Sequence, residues 1–595
     1  MTSMVYPVAR LPSSLAVASL TACLLAAALA SQPAAIAQSA AAPRTHAPAA
    51  ATSGEARALR AFEAAKASKA NALALQAFLE KMPKGADLHM HLSGAVYAET
   101  FLAEAVKQGL CIDPAALKFT QPANAGCANG DLPASAVLQG PAIVDKAKGI
   151  TGQQLYDALV DSFSMRGFVP TPGVTGHDQF FATFNRFGGL KDYGGEWLDQ
   201  VAARAAAQNE QYLEIMQTPP FSNAATLGYK MGWPKGAEES ISSTQLASLR
   251  DQLLQAGLRD EIATDRKSLA DAEVARRKIE SCDIYDQYND ADHQRSDESP
   301  SHGQITEMEQ VTAGCSVKIR FIYQVLRAFP PQQVFAQTLL GFEVASADPD
   351  VVGINFVQPE DDRRAMADYH LQMQMLDYLH SVYPNVKISL HAGELAPGMV
   401  PPEGLKFHIR EAIELGHASR IGHGVDVLYE QNHSDVPVEM HEKPLLKEMA
   451  DKHIMVEINL TSNDVILGIK GHDHPLTAYR EAHVPVALST DDEGVSRINL
   501  THEYVRAAME YGLGYLDLKE MARTSIEHSF LPGESLWEKP DVFTRMKSAC
   551  AGQMRGASPP SEDCAALLKS SEKAAQQWEL ERRFAEFEAS PGDAR

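Results

Sequence analysis

The chain has 595 residues, 45% hydrophobic and 22% charged, a globular balance that excludes general disorder and supplies material for a large core. Its 53 Lys+Arg against 76 Asp+Glu give a formal charge of −23. That argues against nucleic acid and anionic membrane as partners, which need basic surface, and suits a protein acting on a small neutral or cationic molecule.

The N-terminus reads as an export signal over residues 1–37. Arg10 is the only charged side chain there, Leu15 to Ala30 is an apolar run short for a membrane span, and Ala35-Ile36-Ala37 offers a cleavage site. A second site lies at Ala28-Leu29-Ala30, and a retained anchor is the alternative reading. Export to the periplasm or medium follows, with no membrane attachment after cleavage. Residues 38–53 are rich in Ala, Pro, Ser and Thr and read as a disordered linker.

An N-terminal helical extension is expected over 54–82, as one helix from Glu55 to Lys81 ended by Pro83 and Gly85. The barrel described below is placed at 83–540. It opens on a short strand, Ala86 to Leu92. Residues 111–150 show little periodicity and read as an insertion. A helix over Asp178 to Phe187 precedes a strand over Tyr212 to Met216. A second insertion is placed near 225–310, containing a polar helical segment, Ser243 to Lys278, and a surface loop, Gln287 to Gly303.

After Cys315 the pattern is regular. Strand-like runs fall at Val317–Val325, Val351–Val357, Val386–Leu390, Arg420–Ile421, Ile454–Leu460 and Val486–Ser489, with helical stretches between several of them. Together with the two earlier strands these make eight βα units, which predict an α/β fold of the TIM-like (β/α)8 type. An open doubly wound sheet is the alternative, but no G-x-G-x-x-G follows an early strand. Residues 541–595 are read as a C-terminal helical extension.

With Cys23 in the signal, six cysteines remain: Cys111, Cys127, Cys282, Cys315, Cys550 and Cys564. Six cysteines allow about 15 pairings. The simplest joins neighbours, 111–127, 282–315 and 550–564; six reduced core cysteines are the alternative. None lies in a C-x-x-C, which argues against a zinc finger or a thioredoxin-like site.

Four polar clusters sit at the C-terminal ends of expected strands, where a barrel builds its site. In Asp87-Leu88-His89-Met90-His91 two histidines at i and i+2 share one face and can reach one metal. His391-Ala392-Gly393-Glu394 adds a third imidazole and a carboxylate placed to shuttle protons. In Arg420-Ile421-Gly422-His423-Gly424 the flanking glycines permit close backbone approach around an imidazole. Ser489-Thr490-Asp491-Asp492 joins two acids that repel unless held, Asp491 by a metal and Asp492 by a substrate hydrogen bond. Each cluster alone has a bland reading as core histidines or a solvated acidic turn. Together, on the first, fifth, sixth and eighth strands, His89, His91, His391 and Asp491 make a donor set suited to one Zn2+ per chain with a position left for water.

These motifs, with Met82-Pro83-Lys84-Gly85-Ala86-Asp87 ahead of the first and Thr461-Ser462-Asn463 between the third and fourth, resemble the ordered motif set of adenosine deaminases, zinc enzymes of the amidohydrolase superfamily. The resemblance runs from about Lys81 to about Phe530. It implies that His89, His91, His391 and Asp491 bind zinc. Glu394 then protonates the purine ring nitrogen beside the attacked carbon, His423 orients the attacking water and helps deprotonate it, and Asp492 holds the purine's imidazole side. The export signal, N-terminal helix and cysteine-bearing insertion resemble the secreted, growth-factor-related branch, which implies a homodimer. Two positions depart from the family pattern. Ser93 stands where an aspartate often touches the ribose, and Gln358 stands where a glycine often contacts the purine.

The activity implied is hydrolytic deamination of adenosine or a related 6-aminopurine nucleoside to the 6-oxo product (inosine) and ammonia. The alternatives are a metal-dependent hydrolase of another aminated heterocycle and a secreted, non-catalytic nucleoside-binding or signalling protein.

Overall fold

A computed structural model describes residues 53–68, 72–123, 126–128, 130–191, 194–284, 286, 313–432 and 444–591. The expected signal, most of the linker and the loop Gln287 to Gly303 lie outside the described residues.

Eight strands form one sheet in sequence order: Gly85–His91, Glu210–Gln217, Lys318–Leu326, Val351–Val357, Lys387–Ala392, Arg420–His423, Met455–Ile458 and Val486–Leu488. All seven neighbouring pairs are parallel. The ring closes through Asp491, whose N–H donates to the His89 carbonyl at 2.9 Å and whose carbonyl accepts from His91 N–H at 3.1 Å. This is the TIM-like (β/α)8 architecture read from the sequence.

Alternation along the first strand shows why the sequence folds this way. Ala86, Leu88 and Met90 enter the main hydrophobic core, while Asp87, His89 and His91 are buried polar residues. A period of two sends one set to the helices and the other to the barrel interior. Buried polar side chains need partners. Asp87 finds them in the Thr490 hydroxyl at 2.6 Å and the Thr490 N–H at 3.1 Å.

Several elements differ from expectation. The single helix over Glu55 to Lys81 is two, Ser53–Lys66 and Ala72–Lys81. Phe62, Leu75 and Leu79 all enter one core, and a straight helix of that span, about 40 Å long, cannot turn both halves onto one patch. These helices meet the C-terminal helix Glu572–Ala589, where Phe62, Phe78, Tyr515 and Phe587 form an aromatic cluster. The expected insertion 111–150 carries short strands among its described residues. Cys111–Asp113 pairs with Lys118–Thr120 and Leu132–Pro133, and Ile143–Asp145 pairs with Ile150–Thr151. Strands of two or three residues are too short to show a period. The polar segment Ser243 to Lys278 breaks at Gly257, whose φ of 93° ends one helix and starts the next.

The three cysteine couples are disulfides, Cys111–Cys127, Cys282–Cys315 and Cys550–Cys564. Residues between the first two barrel strands build a satellite core from Phe101, Ile112, Phe163, Phe180 and Phe187 that reaches Ile466. Among the described residues no helix is long and apolar enough to cross a membrane.

Candidate metal centre and cavity

Strands one, five and eight bring His89, His91, His391 and Asp491 together, all buried. The Nε2 atoms of His89 and His91 lie 3.1 and 3.2 Å from Nε2 of His391. Asp491 Oδ1 is 3.4 Å from His89 Nε2 and 3.1 Å from His91 Nε2.

The orientation of each ring is set from behind. His89 Nδ1 donates to Glu457 Oε2 at 2.6 Å, His91 Nδ1 to Gln324 Oε1 at 2.6 Å, and His391 Nδ1 to Asn355 Oδ1 at 2.8 Å. The Asn355 amide cannot be flipped without loss, because a carbonyl faces its Nδ2. Gln324 Nε2 donates to Thr218 Oγ1 at 2.9 Å, and Asn355 Nδ2 donates to the Ser389 carbonyl at 2.9 Å. With the protons on Nδ1, three Nε2 lone pairs and a carboxylate oxygen converge, the donor set of a divalent metal site with oriented outer partners.

The electrostatics call for a cation at this point. Burial lowers the His89 imidazole, but its hydrogen bonds to Asp491 and Glu457 outweigh that and push it up to about 10. Burial likewise raises the Asp491 carboxyl, but His89 and His91 hold it well below the usual carboxylate range. A proton or a metal ion satisfies the same four atoms, so metal binding competes with protonation. Zinc fits these residues: three imidazole nitrogens and one carboxylate, with a cavity beside them.

Close approach explains two glycines. A Cβ at Gly422 would lie 2.5 Å from Cε1 of His89, and one at Gly94 would lie 1.4 Å from Oδ1 of Asp492. Asp491 (φ 59°), His423 (φ 69°) and Gln358 (φ 92°) hold left-handed backbone without being glycine, a strain that gathers at functional sites.

Glu394 stands beside the metal cluster. Its loop is pinned by Glu360, which accepts from the N–H groups of Gly393 at 3.1 Å and Glu394 at 2.8 Å. Burial, then the charges of Asp491 and Glu360, push the Glu394 carboxyl well above its usual range. Burial and the neighbouring Asp491 also raise Asp492, to about 8. Asp492 Oδ1 is buried with no hydrogen-bond partner among the described residues. The His423 ring lies 4.9 Å from that of His89 and 5.2 Å from that of His391, between centroids. Burial depresses its imidazole to about 3.

A cavity of 470 Å³ opens on the cluster. His91, His391, Glu394, Asp491 and Asp492 form one side, and Phe180, Phe181, Phe184, Leu326, Val357 and Ile466 line the rest with a few polar groups. No lysine or arginine is among the described lining residues. Both departures from the family pattern, Ser93 and Gln358, line it. The Gln358 side chain turns back, accepting from the Ala328 N–H at 2.8 Å.

Glu457, Gln324, Asn355 and Glu360 escaped the sequence reading. Their signal was a lone polar residue inside or just after an apolar strand, as in Met455-Val456-Glu457-Ile458. Thr461-Ser462-Asn463 was noticed only as a motif. Its Ser462 hydroxyl donates to Asp491 Oδ2 at 2.6 Å.

Residues 303–539 match the family model described as adenosine deaminase. An adenine deaminase of Rhizobium leguminosarum bv. trifolii is 28% identical over 221 residues, covering 37% of this chain and 60% of that protein. An adenosine deaminase of Clostridium perfringens is 33% identical over 154 residues, 26% of this chain and 40% of the relative. The chain thus matches less than two thirds of the length of either. The crystal structure of an adenine deaminase from Arthrobacter aurescens aligns over 76% of this chain and 94% of its own, at 14% identity and a TM-score of 0.43. The barrel assignment rests on the strand order itself.

Proposed function

Because this chain belongs to the adenosine deaminase family, we propose that it is a zinc-dependent aminohydrolase that converts adenosine or a close 6-aminopurine nucleoside to the 6-oxo product and ammonia. The observation that carries this is the meeting of three imidazole nitrogens and a carboxylate with a buried carboxyl raised well above its usual range, Glu394, at one cavity. His89, His91 and His391 through Nε2, and Asp491 through its carboxylate, hold the metal. When bound it supplies Lewis acidity that makes hydroxide available near neutral pH.

The remaining work falls to side chains. Glu394 gives its proton to the ring nitrogen beside the amine-bearing carbon. The carboxylate so formed takes the proton that water gives up as its oxygen adds to that carbon. The new hydroxyl's proton passes to the amine, the C–N bond breaks, and ammonia leaves. Asp492 holds the far side of the purine, its free Oδ1 meeting a ring nitrogen. The apolar wall with Phe180, Phe181 and Phe184 excludes water.

A cavity rimmed by Glu394, Asp491 and Asp492, with no lysine or arginine among its described lining residues, favours a neutral substrate over a nucleotide. Ammonia release across aminopurine nucleosides, bases and nucleotides tests the proposal; no release from any of them ends it. Ser93 favours a second reading, turnover of the free base, since a hydroxyl offers less to a ribose than a carboxylate. Ser93→Asp separates the two by shifting preference toward adenosine over adenine if the nucleoside is the substrate. The three disulfides support export, checked by fractionating cells that produce the full chain.

A further inference from the structure

Behind His423 a single file of hydrogen bonds runs to the start of the helix Leu476–Glu481. The Leu476 N–H donates to His474 Nδ1 at 3.1 Å. His474 Nε2 lies 3.0 Å from Asn463 Oδ1, and Asn463 Nδ2 lies 2.9 Å from His423 Nδ1.

The proton positions follow from the first link. A backbone N–H can only donate, so His474 Nδ1 accepts. His474 is 2% exposed, and burial with the nearby Arg506 charge holds its imidazole down to about 3. Its one proton is therefore on Nε2, aimed at Asn463 Oδ1. A flipped Asn463 would set two N–H donors against each other at 3.0 Å. Asn463 thus presents Nδ2 to His423, whose Nδ1 accepts. Asn459 Nδ2, 3.5 Å away, offers that nitrogen a second donor. Glu394 Oε1 is 3.6 Å from it, beyond hydrogen-bond reach. With Nδ1 accepting, the remaining ring proton of His423 sits on Nε2, a buried atom with no hydrogen-bond partner among the described residues.

We propose that His474 is a positioning residue that acts through Asn463 to fix His423 as the Nε2–H tautomer, so that His423 meets the attacking oxygen as a hydrogen-bond donor and not as a base. The family resemblance gives His423 a share in deprotonating the water. In this tautomer it has no lone pair for that proton, which goes to the carboxylate that Glu394 becomes. His423 instead steadies the negative charge that gathers on the oxygen. The chemical half of this inference rests on the deaminase reading; the tautomer does not.

The two are tested apart. In 15N-histidine-labelled protein, metal-free and zinc-loaded, the His423 resonances are assigned by their loss in His423→Gln. The wild type is expected to show Nδ1 unprotonated and Nε2 protonated. His474→Phe removes the donor and is expected to give a mixture of tautomers, while His474→Gln, which keeps an N–H there, restores the single form. Asn463→Asp puts an acceptor against His423 Nδ1 and is expected to switch it to Nδ1–H, which gives the same test should His474→Phe not fold. A wild-type His423 protonated on Nδ1, or Nε2–H persisting alone in both His474→Phe and Asn463→Asp, overturns the proposal. In turnover, kcat of His474→Phe is expected to fall roughly tenfold to a hundredfold, part of what an oxyanion donor contributes, with KM and zinc content unchanged and most of the rate restored in His474→Gln. An unchanged kcat in His474→Phe overturns the catalytic half. Absence of ammonia from every aminopurine ends the deaminase reading and leaves the spectra to decide the tautomer.

Discussion

Two walls of one site use the same side chain in opposite ways. On one wall His89, His91 and His391 turn Nδ1 toward acceptors, Glu457, Gln324 and Asn355. On the other, His423 turns Nδ1 toward a donor, the Asn463 amide. The rings are all buried, and that of His423 lies 4.9 Å from the ring of His89 and 5.2 Å from that of His391, between centroids. Yet the first wall offers lone pairs and the second an N–H. Which of two tautomers an imidazole adopts is decided by the atom behind it, so the outer partners divide four histidines into three candidate ligands and one hydrogen-bond donor.

The comparison can be broken most severely on the ligand wall. His391→Ala removes one of four donor atoms, and elemental analysis is expected to find metal content far below one ion per chain, with activity lost alongside. Undiminished metal would take His391 out of the set. Next comes the proton donor between the walls. Glu394→Gln keeps shape and a hydrogen-bond donor but cannot transfer a proton. Its kcat is expected to fall by roughly 10²–10⁴ while zinc content and binding of a substrate analogue persist. A near-normal kcat would end that role.

Glu457→Gln sharpens the outer partner's part. A weaker acceptor behind His89 is expected to cost roughly 10–100-fold in metal affinity, read by competition with a chelator. The same variant has a pH signature. Burial pushes the Glu457 carboxyl up, but the Arg420 guanidinium at 2.6 Å and the hydrogen bonds from His89 and Ser389 hold it at about 2, below its usual 4.5. A lowered acid contributes stability above pH 4.5 that is lost as pH falls toward 2. Denaturant titrations of the metal-free proteins are therefore expected to show the wild type losing more stability than Glu457→Gln across that window; parallel curves would remove this ion pair from the acid response.

The smallest expected effect on the site comes from outside both walls. Cys550→Ser with Cys564→Ser opens a bond between residues 14 apart. Global stability is expected to drop by about 2–4 kcal/mol, while metal content and kcat of the folded fraction stay at wild-type values. A shift in either would show that the C-terminal segment communicates with the metal cluster.

The sequence alone determined what depends on local order. Strand runs ending in His89, His91, His391, His423 and Asp491 declared a barrel and its active end, because side-chain alternation and strand length are properties of a few consecutive residues. The cysteine couples, 14 to 33 residues apart, were legible for the same reason. The break between Ser53–Lys66 and Ala72–Lys81 was not, since it answers to a core that both helices share. Nor was any outer partner: Glu457 is 368 residues from His89, Gln324 is 233 from His91, and Asn463 is 40 from His423. Only closure of the barrel puts an acceptor behind three imidazoles and a donor behind the fourth, and a tautomer is a property of that contact.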